Sequence, residues 1–282
     1  MKARFLSFGL GLLILAGVFG LVALVSNDAR LSYAIGTILI LAGATWLGAK
    51  TKGDWWSAVL ICAPLLIAFG FSALRELPFL WPNLLLWITS AAIGIRLVMP
   101  ARPGRALSIS GAVLLFLTSF WYCIGYIPKQ MHYAMNHVRD DPAQTFTFQP
   151  VSDGPVPINA TPGKILVIDF FQTWCLPCIS ELPQVAGVRA DLQDRQDIQF
   201  VVVATNAGGD TPQRFRSIAE RHRIRLPLAF DAAGKGHTAF KMTGFPAVVV
   251  LDRNGRVRFT HEGYNSSEVN FRSDLVRLLK SL

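Results

Sequence analysis

Ile165-Leu-Val-Ile-Asp-Phe-Phe171, followed by Gln172-Thr173-Trp174-Cys175-Leu176-Pro177-Cys178 and the helical pattern Ile179–Leu192, decides the fold of the C-terminal half. The first stretch is an apolar run of strand length broken only by Asp169, which predicts a central strand covered on both faces, as in α/β sheets. Cys175 and Cys178 can close on each other only if the backbone turns tightly between them, and a strand-to-helix junction supplies that turn. There, free backbone N–H groups and the positive end of the helix dipole favour a thiolate, so Cys175 should be more acidic than a free thiol near ~8.5. The predicted chemistry is thiol–disulfide exchange. Two other readings of the spacing stand beside it: half of a zinc site, for which His222, His237 and His261 are widely scattered, and a structural disulfide.

Outward from this motif the pattern continues with an apolar run at Ile198–Ala204, a Gly-rich turn at Asn206–Asp210, and a helix opened by Thr211-Pro212 and running to about His222. A short strand at Leu226–Phe230, a short helix at Lys235–Met242 and a hairpin of Ala247–Asp252 with Arg256–Glu262 come next. A last helix should be capped by Ser266 or Ser267, and Pro183 should kink the helix after the motif.

The N-terminal part has a different character. Of the 282 residues, 1–127 carry 9 Lys+Arg and 3 Asp+Glu, whereas 128–282 carry 18 and 15. Five apolar stretches, about Phe5–Val25, Leu31–Ala49, Trp55–Leu74, Phe79–Met99 and Ala106–Ile127, are long enough at about 1.5 Å per residue to cross a ~30 Å hydrocarbon core. Lys2 and Arg4, Lys50 and Lys52, and Arg102 and Arg105 mark one side; Asp28 with Arg30 and Arg75 with Glu76 lie on the other. The positive-inside bias then puts the N-terminus in the cytoplasm and the C-terminal half outside. The expected organisation is a transmembrane domain at 1–127, a solvated linker at 128–144 and an extracytoplasmic domain at 145–282. The first stretch is longer than a signal h-region of ~7–15 residues and reads as an anchor. The basic excess thus belongs to membrane topology, and no basic stripe interleaved with aromatics suggests nucleic acid. Cys62 and Cys123 sit at different expected depths, too far apart to pair, and read as helix-packing residues.

The order β-α-β-α-β-β-α around a strand-to-helix dithiol resembles the thioredoxin fold over about residues 145–282. More closely, it is similar to the membrane-anchored thiol–disulfide oxidoreductases of the TlpA, ResA and CcmG group. The resemblance is carried by Asp169-Phe170-Phe171, Trp174-Cys175-Leu176-Pro177-Cys178, Glu181-Leu182-Pro183, Gly244-Phe245-Pro246 and Leu251-Asp252-Arg253-Asn254-Gly255. It implies that Cys175 attacks and forms the mixed disulfide, that Cys178 resolves it, and that Asp169 and Glu181 handle the proton of the buried thiol. It also implies that Pro246 is cis and that Phe245 and Trp174 contact the partner chain. No cofactor or metal is implied. The partners would be protein thiols and disulfides and an upstream electron donor such as a transmembrane disulfide reductase, with the chain held in the bilayer of a bacterial inner membrane and its domain in the periplasm.

The sequence departs from that group at Gln172, at Ala247 after the proline, and in having five apolar stretches instead of a single anchor, which argues against a dedicated role in cytochrome c maturation. Reduction is the expected direction. Two rival readings are a redox sensor or copper-handling module, using Cys175 and Cys178 with a histidine such as His261, and a thiol peroxidase. The peroxidase lacks its proline in Phe171–Trp174.

Overall fold

The computed structural model describes the chain except residues 1, 22–27, 53, 76–77, 99–101, 143, 154 and 158. Two compact units result, Met1–Met131 and His132–Leu282.

In the first unit five helices form where the apolar stretches predict them: α1 (Lys2–Leu21), α2 (Ala29–Thr51), α3 (Trp55–Arg75), α4 (Trp81–Leu97) and α5 (Arg102–Trp121). Val25, Glu76 and Met99, named in the sequence reading, lie outside the described residues. Among the described residues two segments, Tyr33–Thr51 and Leu107–Met135, are long and apolar enough to cross a bilayer, and Arg4–Val18 and Trp55–Gly70 are shorter apolar helices. The structure thus gives a helical N-terminal unit with two full-length candidate spans where the sequence suggests five.

Helix α1 packs on α3 and α2 on α4. Small residues set these approaches: a Cβ on Gly11 would stand 2.5 Å from the Ile61 carbonyl oxygen, and one on Gly94 2.7 Å from that of Leu41. Cys62 and Cys123 are free and buried, and the Cys62 thiol donates to the Trp87 carbonyl at 3.5 Å. After α5 a π-helical turn, Tyr122–Tyr126, leads to α6 (Ile127–Met135).

The second unit is a mixed seven-stranded sheet in the order β1-β7-β6-β3-β4-β5-β2. Its strands are β1 (Asn136–Asp141), β2 (Gln149–Pro150), β3 (Ile165–Phe171), β4 (Ile198–Thr205), β5 (Leu228–Asp231), β6 (Ala247–Leu251) and β7 (Val257–Glu262). The helices are α7 (Leu176–Asp191), α8 (Pro212–Arg221), α9 (Lys235–Ala239) and α10 (Phe271–Ser281). Strand β3 is parallel to β4 and antiparallel to β6, and all seven of its residues are buried. That placement is why its run is apolar on both faces. Val167 and Phe171 face a core shared with Val185 and Val188 of α7 and Leu275 and Leu279 of α10. Leu166, Ile168 and Phe170 face the other side, closed by Phe146, Phe148, Phe240 and Met242. Burial of each large side chain contributes about 1.5–3 kcal/mol.

Two expectations change. Residues 128–144 are not a solvated tether: they hold the end of α6 and the edge strand β1, which pairs antiparallel with β7. A polar segment is held there by backbone pairing and by ion pairs such as Arg256 with Asp140 at 3.0 Å, not by apolar burial. Helix α7 continues through Pro183 as one element, and α10 starts at Phe271 rather than at Ser266 or Ser267. The intervening turn buries Ser267 and Glu268.

Candidate active site

Strand β3 ends at Phe171, and Gln172–Trp174 turn the chain into α7. Cys175 is the N-cap of that helix, with extended backbone, and its Sγ accepts the N–H of Cys178 at 3.2 Å. Pro177 occupies the first turn, where its missing N–H costs nothing. Cys175 and Cys178 form a disulfide with Cα atoms 5.3 Å apart, and both are buried, Cys175 at 4% exposure and Cys178 at 1%. Trp174 and Leu176 on either side of Cys175 are exposed.

The turn is pinned from β4's far end. Asp210 accepts the Thr173 N–H at 2.8 Å and the Thr173 hydroxyl, while Arg214 lies 3.7 Å from it. Gln172 is wholly buried with its amide 2.6 Å from Thr205 Oγ1; with the amide oriented so that both of its ends are satisfied, its oxygen accepts from that hydroxyl and its nitrogen donates to Ala207 O at 3.0 Å and Asp210 Oδ2 at 2.7 Å. Gly208, at φ +66, lies under the indole of Trp174: a Cβ there would stand 2.2 Å from Nε1. Gln172, the departure from the family pattern, is therefore part of the clamp that holds the dithiol turn. Asp210 and Gly208 were not singled out by sequence reasoning beyond their membership in a Gly-rich turn.

Antiparallel pairing of β3 with β6 sets Phe170 opposite Ala247, so the start of β6 lies beside the strand end that launches the dithiol. The Phe245–Pro246 peptide is cis, and the Pro246 carbonyl accepts the Gly263 N–H at 2.8 Å. Phe245 packs against the core that contains both cysteines and stacks on His237, ring centroids 4.4 Å apart. The His237 ring in turn contacts the Gly244 carbonyl at 3.0 Å.

Beneath α7 the sheet carries a polar row. The register pairs Asp169 with Val248, Val248 with His261, and His261 with Asn136, so Asp169, His261 and Asn136 lie in one line across β3, β6, β7 and β1, on one face. Asp169, Glu181 and His261 are buried, and neither carboxyl has a hydrogen-bond partner among the described residues. Desolvation raises Asp169 to about 7. Desolvation first, then the charges of Asp169 and Glu268, push Glu181 well above the usual carboxylate range. Glu268 is likewise raised by burial to about 7, against the opposing hydrogen bond from Asn136. Burial lowers His261 to about 3. His261 Nε2 lies 3.5 Å from Glu181 Oε1, and desolvation opposes charge on both partners.

The structure thus brings Cys175, Cys178 and Trp174 together at one helix start, with Glu181 one turn after Cys178 and Asp169 in the strand below. His261, considered beside the cysteines as a copper ligand, faces Glu181 and Glu268 instead. Among the described residues no group of three or more His, Cys, Asp or Glu side chains is disposed to hold a metal ion. Asn136, His261 and Glu268 escaped the sequence reading as a cluster. The available signal was β7's alternation, which puts His261 on the same buried face as Phe259.

Comparison with known proteins follows the same lines. Residues 140–260 match the AhpC/TSA family, and this part of the chain is a thioredoxin-like domain. The domain is similar to the thioredoxin-like protein YneN of Bacillus subtilis, 22% identical over 43% of this chain and 69% of that protein. It is also similar to the thiol–disulfide oxidoreductase ResA of Geobacillus kaustophilus, 26% identical over 43% of this chain and 64% of that one. The chain therefore spans about two thirds of the length of these relatives. Among solved structures, a thioredoxin-family thiol:disulfide interchange protein from Chlorobium tepidum is 26% identical, covering 51% of this chain and 97% of that one with a TM-score of 0.41. A secreted Mycobacterium tuberculosis disulfide oxidoreductase is 23% identical, covering 49% and 96% with a TM-score of 0.39. The enzyme class read from the sequence, thiol–disulfide oxidoreductase, is the class that the ResA relatives bear by name.

Proposed function

We propose that the chain is a membrane-bound thiol–disulfide oxidoreductase whose thioredoxin-like domain works outside the cytoplasm and reduces disulfides of protein substrates. The observation that carries this reading is Cys175 at the N-cap of α7, where its sulfur accepts the Cys178 N–H at 3.2 Å and would be held as a thiolate after reduction. In the reductive direction the Cys175 thiolate attacks a substrate disulfide. One substrate sulfur joins Cys175 and the other leaves as a thiolate. Cys178 then gives its proton to a carboxylate at Asp169 or Glu181, and its thiolate attacks Cys175 Sγ, which releases the second substrate thiolate and closes the disulfide. An upstream dithiol donor reverses these steps to restore the reduced form. Trp174, Phe245 and Pro246 frame the site where the partner chain would lie.

The membrane part of the proposal rests on the helical unit. Its exterior exposes Phe5, Leu13, Ile67, Leu107 and Phe116, at 74%, 71%, 73%, 69% and 65%, an apolar surface that water would not favour. Together with the lysine and arginine distribution, this supports a multi-pass bundle with a cytoplasmic N-terminus and a periplasmic C-terminal domain in a bacterial inner membrane.

The test is mixed-disulfide trapping. Cys178→Ser should accumulate a covalent adduct with reducible substrate protein through Cys175, and Cys175→Ser should accumulate none. A trapped adduct through neither cysteine, or through Cys178 alone, contradicts the nucleophile assignment.

A further inference from the structure

We propose that His261 and Glu268 form a buried proton relay between the carboxyls beside the dithiol and the His132–Asp274 edge of the domain, with His261 as its positioning and proton-passing residue. The proposal deepens the disulfide-exchange reading and rests on it.

Disulfide exchange moves protons as well as electrons. When a donor thiolate attacks Cys175 Sγ, the Cys175–Cys178 bond breaks and its electron pair stays on Cys178, which must take a proton in a site without solvent. Glu181, one turn on along α7, supplies it and is left as a carboxylate. The structure shows where the replacement comes from.

Asn136 fixes the chemistry of His261. The Asn136 amide nitrogen donates to the His132 carbonyl at 2.8 Å and to Glu268 Oε1, so its oxygen is the atom turned to His261 Nδ1 at 3.1 Å. An acceptor there, with the Gly263 backbone hydrogen-bonding the same ring, makes Nδ1 the protonated nitrogen and leaves Nε2 with a lone pair. That lone pair faces two carboxyls, Glu181 at 3.5 Å and Glu268 at 3.7 Å.

One proton can therefore pass from Glu268 to Nε2 and on to Glu181, leaving His261 neutral and Glu268 ionised. Glu268 is within 3.4 Å of His132 Nδ1, which also lies 3.6 Å from Asp274, and these two side chains are 36% and 27% exposed. They are the outlet to solvent. The other titratable groups acting on the row are His137, which works against charge on His261, Asp169, whose charge raises Glu181, and Tyr264, which feels both glutamates. In the oxidising direction the same path runs outward.

The test mixes the oxidised full chain, in lipid nanodiscs, with dithiothreitol between pH 5 and 9. Stopped-flow tryptophan fluorescence follows cleavage of the disulfide, and a pH-indicator dye follows the balance between the two thiol protons that dithiothreitol gives up on oxidation and the protons that the site takes up. In the parent the dye signal should track cleavage with no transient acidification. In His261→Gln and in Glu268→Gln, uptake should lag cleavage by about tenfold and appear as a transient acidification, which added imidazole should shorten in His261→Gln.

A purely structural role would slow both signals together or change neither, and either result overturns the relay. Should the variants fail to fold, the parent decides alone. Its cleavage rate in mixtures of light and heavy water should bow, as expected for more than one proton in flight, and a linear dependence overturns the relay. A Cys175→Ser chain that oxidised dithiothreitol like the parent would instead overturn the exchange reading itself.

Discussion

Asp169 is a carboxyl placed by a seven-residue buried strand near the equally buried Glu181, and burial lifts it to about 7. In the unfolded chain it titrates near ~3.9. Below that pH both states hold the proton and the group does not affect stability. Between pH ~4 and about 7 the unfolded state releases the proton first, so stability falls as pH rises, and above about 7 the loss is complete. Asp169→Asn should therefore be more stable than the parent at pH 8, on the order of 4 kcal/mol, with little difference at pH 4. Denaturant melts at the two pH values check this, and a variant less stable than the parent at pH 8 contradicts the burial argument. The same variant should slow disulfide exchange. Asp169 was legible in the sequence because a lone carboxylate interrupts an apolar run. The importance of His261 was not, because its ring partner Asn136 is 125 residues away and the two meet only through the pairing of β1 with β7.

At the scale of elements, the junction of β3 and α7 is held by the loop after β4. Gly208 has a left-handed φ and leaves no room for a Cβ beneath Trp174. Gly208→Ala should displace the indole and loosen the Thr173–Asp210 clamp, costing about 1–2 kcal/mol. It should shift the tryptophan emission and lower the exchange rate. Unchanged emission and exchange would show that the loop does not seat Trp174. Strands β3, β4, β6 and β7 and helices α7 and α8 were legible because each carries its own apolar periodicity or cap, as at Thr211, whose hydroxyl accepts the Arg214 N–H at 3.2 Å. Strand β1 was not. Its sequence, Asn136-His-Val-Arg-Asp-Asp141, carries no apolar alternation, and Val138 is 85% exposed. Its structure comes from the partner strand and from Arg256 and Arg258 facing Asp140. The two-residue β2 is likewise defined only by its pairing with β5.

The whole molecule divides as the sequence does, into an apolar helical unit and a charged, mixed α/β unit, though the second begins at His132 and takes in residues that composition assigned to a linker. Composition marked the helices because bilayer-length apolar runs are long-range averages, whereas the linker's true state depended on a strand edge more than a hundred residues downstream. The account's central claim joins chemistry to sidedness: an activated sulfur at position 175 on the extracytoplasmic side. The most direct test is labelling of the reduced full chain with a membrane-impermeant maleimide, in sealed right-side-out and inside-out vesicles at pH 7, with rates compared against glutathione. The account predicts that Cys175 reacts in right-side-out vesicles at least about tenfold faster than glutathione and is protected in inside-out ones. Labelling only in inside-out vesicles, or a rate no greater than glutathione's, would contradict it.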